Sequence, residues 1–142
     1  MAINPELVHR KITLILEDLE KVRSLAALAP DEYLSDPRNE VLAERYLERI
    51  IGRAIDVNYH LVTEILLLTP KDYWDSFIRL SQVGVLDSSA ARSFARLAGL
   101  RNRITHEYNG LDETLIHEAL GQIVRELPEY LRQVTAFLAA RG

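Results

Sequence analysis

Three side chains in the second half of the sequence have types that could bind an anion and move a proton. Arg101, His106 and Tyr108 lie together in the stretch Gly99–Gly110. A histidine titrates near neutrality, so it can take or give a proton during a reaction. A guanidinium presents a planar fork of N–H donors that matches two phosphate oxygens. Tyr108 adds a hydroxyl two residues beyond the histidine. Three further arginines, Arg92, Arg96 and Arg103, precede His106 in a run without any acid.

Helical arithmetic sorts these residues. At about 100° per residue, Arg92, Arg96 and Arg103 fall within about 40° of one another, with His106 on their side. The apolar stripe of the same helix is Phe94, Leu97, Leu100 and Ile104. Arg101 and Tyr108 stand inside that stripe, more than 100° from the other arginines. A guanidinium in mid-stripe needs a carboxylate, a set of carbonyls, a subunit interface or an anionic ligand, because an unpaired buried charge is costly. Asp56 and Asn58 on an earlier helix are possible partners, and a structural ion pair or core network is the alternative to a ligand site. The basic face carrying Arg92, Arg96 and Arg103 is either a solvated surface or a surface for RNA. His106 near a helix C-terminus is favoured there by the helix dipole, whether or not it is catalytic.

The remaining titratable residues point to no metal centre. His106-Glu107 lacks the second histidine of a zincin motif, and His60 with Glu64 makes only two ligands. There is no cysteine. Glu107 is expected to pair with Arg103 at i,i+4, and His9 and His117 read as surface residues.

The elements that position the motif are all helical. Asn4-Pro5-Glu6 starts a first helix with an N-cap, a proline at the first position and an acid in the first turn. Val8, Ile12, Ile15, Leu19, Val22 and Ala26 give it one apolar stripe to about Ala29. Glu17 and Lys21 read as a pair on its wet side, and Pro30 as its stop. Residues 31–37 read as a loop or turn. A second helix is expected from about Arg38 to Thr69, with Leu47, Ile50, Ile51, Ala54, Leu61, Val62 and Ile65 on one face. Asn58 lies within that face, either as a core hydrogen-bonding residue or as support for a site. Thr69-Pro70 is expected to start a short helix whose apolar bulk is Tyr73, Trp74, Phe77 and Leu80. Asp87 or Ser88 caps the motif helix, which stops at Asn109-Gly110. Asp112 caps the last helix, where Pro128 should kink or restart the chain. No strand pattern or repeat stands out, so the expected fold is an all-α up-and-down bundle of four to five helices, one domain over residues 1–142.

Composition excludes some functions. The chain has 142 residues, 48% hydrophobic and 27% charged, with a formal charge of −4. That balance argues against gripping nucleic acid with the whole surface and leaves room for a local basic site. No signal peptide is visible, and the apolar run near residues 61–68 is far short of the roughly 20 residues a bilayer needs. A soluble cytoplasmic protein without membrane partners is expected.

The stretch Arg101-Asn102-Arg103-Ile104-Thr105-His106-Glu107-Tyr108 resembles the R-x4-H-x-Y motif of HepT-like toxins in the HEPN superfamily. Residues 48–56 resemble the second helix of that family. Residues 70–77, followed by Gly84-Val85-Leu86, are similar to its middle segment. The resemblance implies a dimerising helical bundle with two motifs facing each other across the interface. It implies an endoribonuclease that needs no metal or other cofactor, in which the ribose 2′-OH attacks the adjacent phosphate and leaves a cyclic phosphate. His106 would be the general acid/base, Arg101 the phosphate contact, and Asn102 a residue orienting the site. It further implies a type VII-like toxin–antitoxin pair, in which a minimal nucleotidyltransferase antitoxin, MntA, silences the toxin by transferring AMP to Tyr108. Bulk and negative charge beside Arg101 would block RNA. A relative acting only as a binding module for a nucleotidyltransferase is the alternative.

One geometric expectation follows. On a regular helix Arg101 and His106 point about 140° apart. A composite site then needs either a distorted helix end or a second subunit, and the dimer cleft is the expected place.

Overall fold

The bundle is built by capping and periodicity. In the computed structural model, which describes residues 2–107 and 110–141, the described chain is helical and holds no strand. The helices are α1 (Pro5–Ala27), α2 (Pro30–Leu34), α3 (Pro37–Leu66), α4 (Tyr73–Gln82), α5 (Ser88–His106) and α6 (Glu113–Arg141). Side-chain caps stand where short polar residues precede a helix. Asn4 accepts from the Leu7 N–H, Asp36 from Arg38, Asp72 from Asp75 and Asp87 from Ala90. Asp112 accepts from Thr114 at the start of α6.

Contacts between helices give their directions. Asn4 reaches His60, Lys11 reaches Asp56, and Asp18 reaches Arg49 and Arg53, so α1 and α3 run antiparallel. Thr105 meets Glu48 and Arg101 crosses Gly52, so α5 also opposes α3. Asp87 meets Gln133 and Phe94 meets Tyr130, so α6 opposes α5. The result is an up-down-up-down bundle of α1, α3, α5 and α6, with α4 laid against α3 and α5. The expected apolar stripes form its centre. Val8, Ile15, Leu19, Val22, Leu47, Ile50, Ile51, Leu61, Leu120 and Ile123 are almost wholly buried.

Several boundaries differ from expectation, and proline is the common reason. Residues 31–37 are not a loop: Pro30 starts α2, where the Ala29 N–H donates to Glu32, and Pro37 starts α3. Both use proline at a first helical position, where the missing N–H has no intrahelical role. Pro70 does the opposite and lies outside α4, which begins behind Asp72. α3 ends at Leu66 because Leu67 turns left-handed at φ 56°. α6 continues through Pro128 as one element and does not restart. α5 ends at His106, and Gly110 takes a positive φ of 112° beyond it. Asn109, expected as part of that stop, lies outside the described residues.

Charge pairing on the wet side also differs. Glu17 and Lys21 do not meet; Arg23 pairs with Glu20. The one buried acid among the described residues is Asp18, 1% exposed, held between Arg49 at 3.0 Å and Arg53 at 2.7 Å. It fastens α1 to α3. His117 is no surface residue: its ring stacks on buried Tyr33 at 4.5 Å and its Nε2 lies 3.2 Å from the Leu25 carbonyl.

Candidate active site

Arg101 leaves α5 toward α3 and α4. Its guanidinium carbon lies 5.3 Å from the centroid of Tyr73, the first residue of α4. Where it crosses α3 the residue is Gly52, at which a Cβ would stand 3.4 Å from the Arg101 Nε. A glycine in mid-helix costs about 1 kcal/mol relative to alanine, and here it makes room for the guanidinium. The Arg101 Nε is buried and meets no hydrogen-bond acceptor among the described residues. Its suggested partner Asp56 takes Lys11 at 2.9 Å. Arg101 is thus held by an aromatic face and a glycine gap, with no acid neutralising it among the described residues.

Asn58 is buried in the core. Tyr130 donates its hydroxyl proton to Asn58 Oδ1, with the Ala54 carbonyl 3.1 Å away as a second acceptor. Asn58 Nδ2 donates to Ser76 Oγ at 3.1 Å, and Ser76 Oγ donates to the Tyr73 carbonyl at 2.7 Å. This chain of bonds secures the first turn of α4 and with it the ring beneath Arg101. Asn58 meets the site only through that turn. Burial raises the Tyr130 hydroxyl pKa far above the ordinary phenol value, so it stays a donor.

Two hollows adjoin Arg101. One, of about 410 Å³, has Tyr59, Tyr73, Ile55 and Leu7 as walls, with Lys11, Asp56 and His60 also lining it. Tyr59 meets Tyr73 edge to face at 6.1 Å. Burial first, and then the neighbouring Tyr73, Asp72 and Asp75, raise the Tyr59 pKa. The other hollow, of about 290 Å³, lies between α1 and α3 and brings Lys11, Arg45, Arg49 and Arg53 beside Arg101, with Glu48 and Asp56. These three α3 arginines were not singled out from the sequence. Their i, i+4, i+8 spacing on one helical face was the available signal.

His106 is placed elsewhere. α5 remains helical through His106, with the Glu107 N–H donating to the Arg103 carbonyl at 2.9 Å. Arg101 and His106 therefore project about 140° apart, and His106 lines neither hollow at Arg101. Asn102, Arg92, Arg96, Arg103 and His106 are exposed. Arg96 and Arg103 line a groove of about 380 Å³ between α5 and α6, together with Glu107. The expected Arg103–Glu107 ion pair does not form there. Thr105 ties the end of α5 to α3 by donating to Glu48 Oε2 at 3.2 Å. Tyr108, the remaining motif residue, lies outside the described residues.

The helical bundle agrees with what sequence comparison finds. The profile of the family described as ribonuclease HepT-like matches residues 15–134. The chain belongs to the ribonuclease HepT-like family. The enzyme class read from the motif, an endoribonuclease, is the class of this family. A HepT-like relative from Aphanizomenon flos-aquae, named tRNA nuclease HepT, is 30% identical over 138 residues, covering 96% of this chain and 92% of its own. Among solved structures, the tri-AMPylated HEPN toxin of Shewanella oneidensis in complex with the MNT antitoxin superposes with a TM-score of 0.82. It is 18% identical and covers 92% of this chain and 97% of its own. YutE of Bacillus subtilis, a cytosolic protein of unknown function, superposes at 0.85 with 12% identity, covering 98% of this chain and 93% of its own. Both likenesses are of fold alone: an all-helical bundle, as the sequence resemblance implied. No helix of the described chain is long and apolar enough to cross a membrane.

Proposed function

We propose that this HepT-like chain, acting as one domain over residues 1–142, is a metal-independent endoribonuclease toxin working as a homodimer. The observation that carries the reading is Arg101: a half-buried guanidinium at the wall of two hollows, with a buried Nε that meets no acceptor among the described residues. Such a group fits an anionic ligand, and a phosphodiester is the anion RNA supplies. His106 is exposed, and it points away from Arg101 on a helix that stays regular. A helix that stays regular through His106 favours a two-fold interface that sets one motif against another.

In the proposed reaction a histidine accepts the proton of the ribose 2′-OH as its oxygen attacks phosphorus. The bond from phosphorus to the 5′ oxygen breaks, that oxygen takes up a proton, and a 2′,3′-cyclic phosphate remains. Arg101 holds the non-bridging oxygens as charge develops on them. Asn102 orients the site from the same helix turn. Lys11, Arg45, Arg49 and Arg53 on the Arg101 side, and Arg92, Arg96 and Arg103 on the His106 side, are the local basic surfaces for RNA in a chain of net charge −4.

The partner in this reading is a nucleotidyltransferase antitoxin of the MntA kind, which adds AMP to Tyr108. The described fold of the AMPylated Shewanella oneidensis toxin supports that reading. The name of the cyanobacterial relative makes tRNA the first RNA to test.

The test is to purify the chain without its partner and incubate it with RNA in EDTA. Wild type is expected to cleave, and His106→Ala to lose about 10²-fold or more of the rate. Equal persistence of RNA with both proteins overturns the ribonuclease reading and leaves the binding module, whose complex with a nucleotidyltransferase is indifferent to His106→Ala. After co-expression with the partner, intact mass should rise by AMP units that Tyr108→Phe abolishes.

A further inference from the structure

The 410 Å³ hollow beside Arg101 has a composition that phosphate binding alone does not explain. Its walls are the rings of Tyr59 and Tyr73 with the aliphatic side chains of Leu7 and Ile55. Its volume lies in the range of small-ligand pockets. Tyr73 is 37% exposed, whereas Phe77 and Leu80 of the same helix are fully buried. The Tyr73 ring is kept at the surface by the Asn58–Ser76 bonds and carries the Arg101 guanidinium. Lys11 and Asp56, paired at 2.9 Å, stand at the rim as one donor and one acceptor.

We infer that this hollow is a nucleobase pocket. It takes the base of the nucleotide adjoining the phosphate that Arg101 holds, stacked on the Tyr59 ring, with the Tyr73 ring, at 76° to Tyr59, meeting its edge. The inference rests on the ribonuclease reading above and adds to it the part of the substrate that is recognised. Aromatic rings beside an arginine are the pairing by which proteins hold single-stranded RNA: the arginine takes the backbone and the rings take the splayed base. A phosphate group alone would have no use for four apolar walls. A partner peptide would have to bring its own acid to Arg101, because the hollow's Asp56 is taken by Lys11. The pocket therefore directs the enzyme to unpaired RNA, because a base inside a duplex cannot enter it.

Tyr59 is the residue to change, since it shapes the pocket without resting on Arg101. Tyr59→Leu is expected to raise KM for a short single-stranded RNA roughly 5- to 100-fold, the usual effect of losing one base stack. The kcat should be unchanged, because the stack is made equally in the bound and transition states. Tyr59→Phe should restore the wild-type KM. As a direct probe, 2′-O-methyl RNA carrying 5-iodouridine, which binds but has no free 2′-OH to attack, is irradiated with the wild-type protein. Crosslinks at Tyr59 or Tyr73 support the pocket. A wild-type KM in a normally folded Tyr59→Leu protein, or crosslinks confined to other regions, overturns the pocket and leaves the ribonuclease reading intact. If wild type neither cleaves nor binds RNA, both fall together.

Discussion

At the scale of single residues, the site is decided by what lies against Arg101. Gly52 has no propensity advantage in the middle of a 30-residue helix. Its use is the missing side chain, which lets the guanidinium pass close to α3. A methyl group at that point would sit 3.4 Å from Nε and 3.9 Å from Nη2, an ordinary contact. Gly52→Ala should therefore fold with stability raised by about 0.5–1 kcal/mol, read from denaturant unfolding. Gly52→Val is different, because its second methyl carries into the guanidinium and pushes it off Tyr73. Its kcat/KM should fall about 10²-fold, as for loss of Arg101 itself, with the fold kept. A Gly52→Val protein that is both stable and fully active would show that the close approach has no role.

At the scale of elements, two fastenings hold the helices that present the motif. Asp18 carries one charge between two arginines and is almost fully buried. Asp18→Ala leaves those cations unpaired against α1 and should lower stability by about 3 kcal/mol, the lower end for breaking a buried pair because both arginines keep some solvent. Equilibrium unfolding in urea measures it. The second fastening opens α6, directly after the motif. Glu113 accepts from the Tyr33 hydroxyl at 3.1 Å. Burial, and next the hydrogen-bonding and charge of Glu44 together with the charge of Glu40, push its pKa up to about 8 from 4.5. His117 faces the same cluster through its stack on Tyr33. The folded state then keeps a proton that the unfolded chain releases, so this contribution to stability is complete below about pH 4.5 and is lost as pH rises to about 8. Thermal unfolding across that range should show a decline that Glu113→Gln removes.

At the scale of the whole molecule, the arrangement of Arg101 and His106 requires a pair of subunits for the proposed chemistry. Arg101→Ala and His106→Ala should each be inactive alone. Mixed and allowed to exchange, the two should recover on the order of a quarter of wild-type activity, because half the dimers are then mixed and each holds one intact composite site. No recovery, with exchange of subunits shown by mass, would sink the shared site. The same assembly reconciles an acidic chain with an RNA substrate. The arginines of α3 and α5 are local, and the two-fold axis of the proposed dimer would double them at one cleft.

Periodicity and capping sufficed for the bundle. The apolar stripes of α1, α3, α5 and α6 are set by spacing along the chain, and that spacing places the same residues in the core. The motif was readable for the same reason, since Arg101 within an apolar stripe is an anomaly of one helix alone. Prolines were harder, because the same residue starts a helix at Pro37 and lies outside one at Pro70, and its neighbours in space settle which. Asn58, Gly52, Tyr59 and Tyr73 belong to three different roles that no local pattern separates. Whether a polar residue in a stripe bonds a core tyrosine, or a ring at a helix start supports an arginine, depends on contacts between residues distant in sequence. Those contacts exist only once the helices have packed.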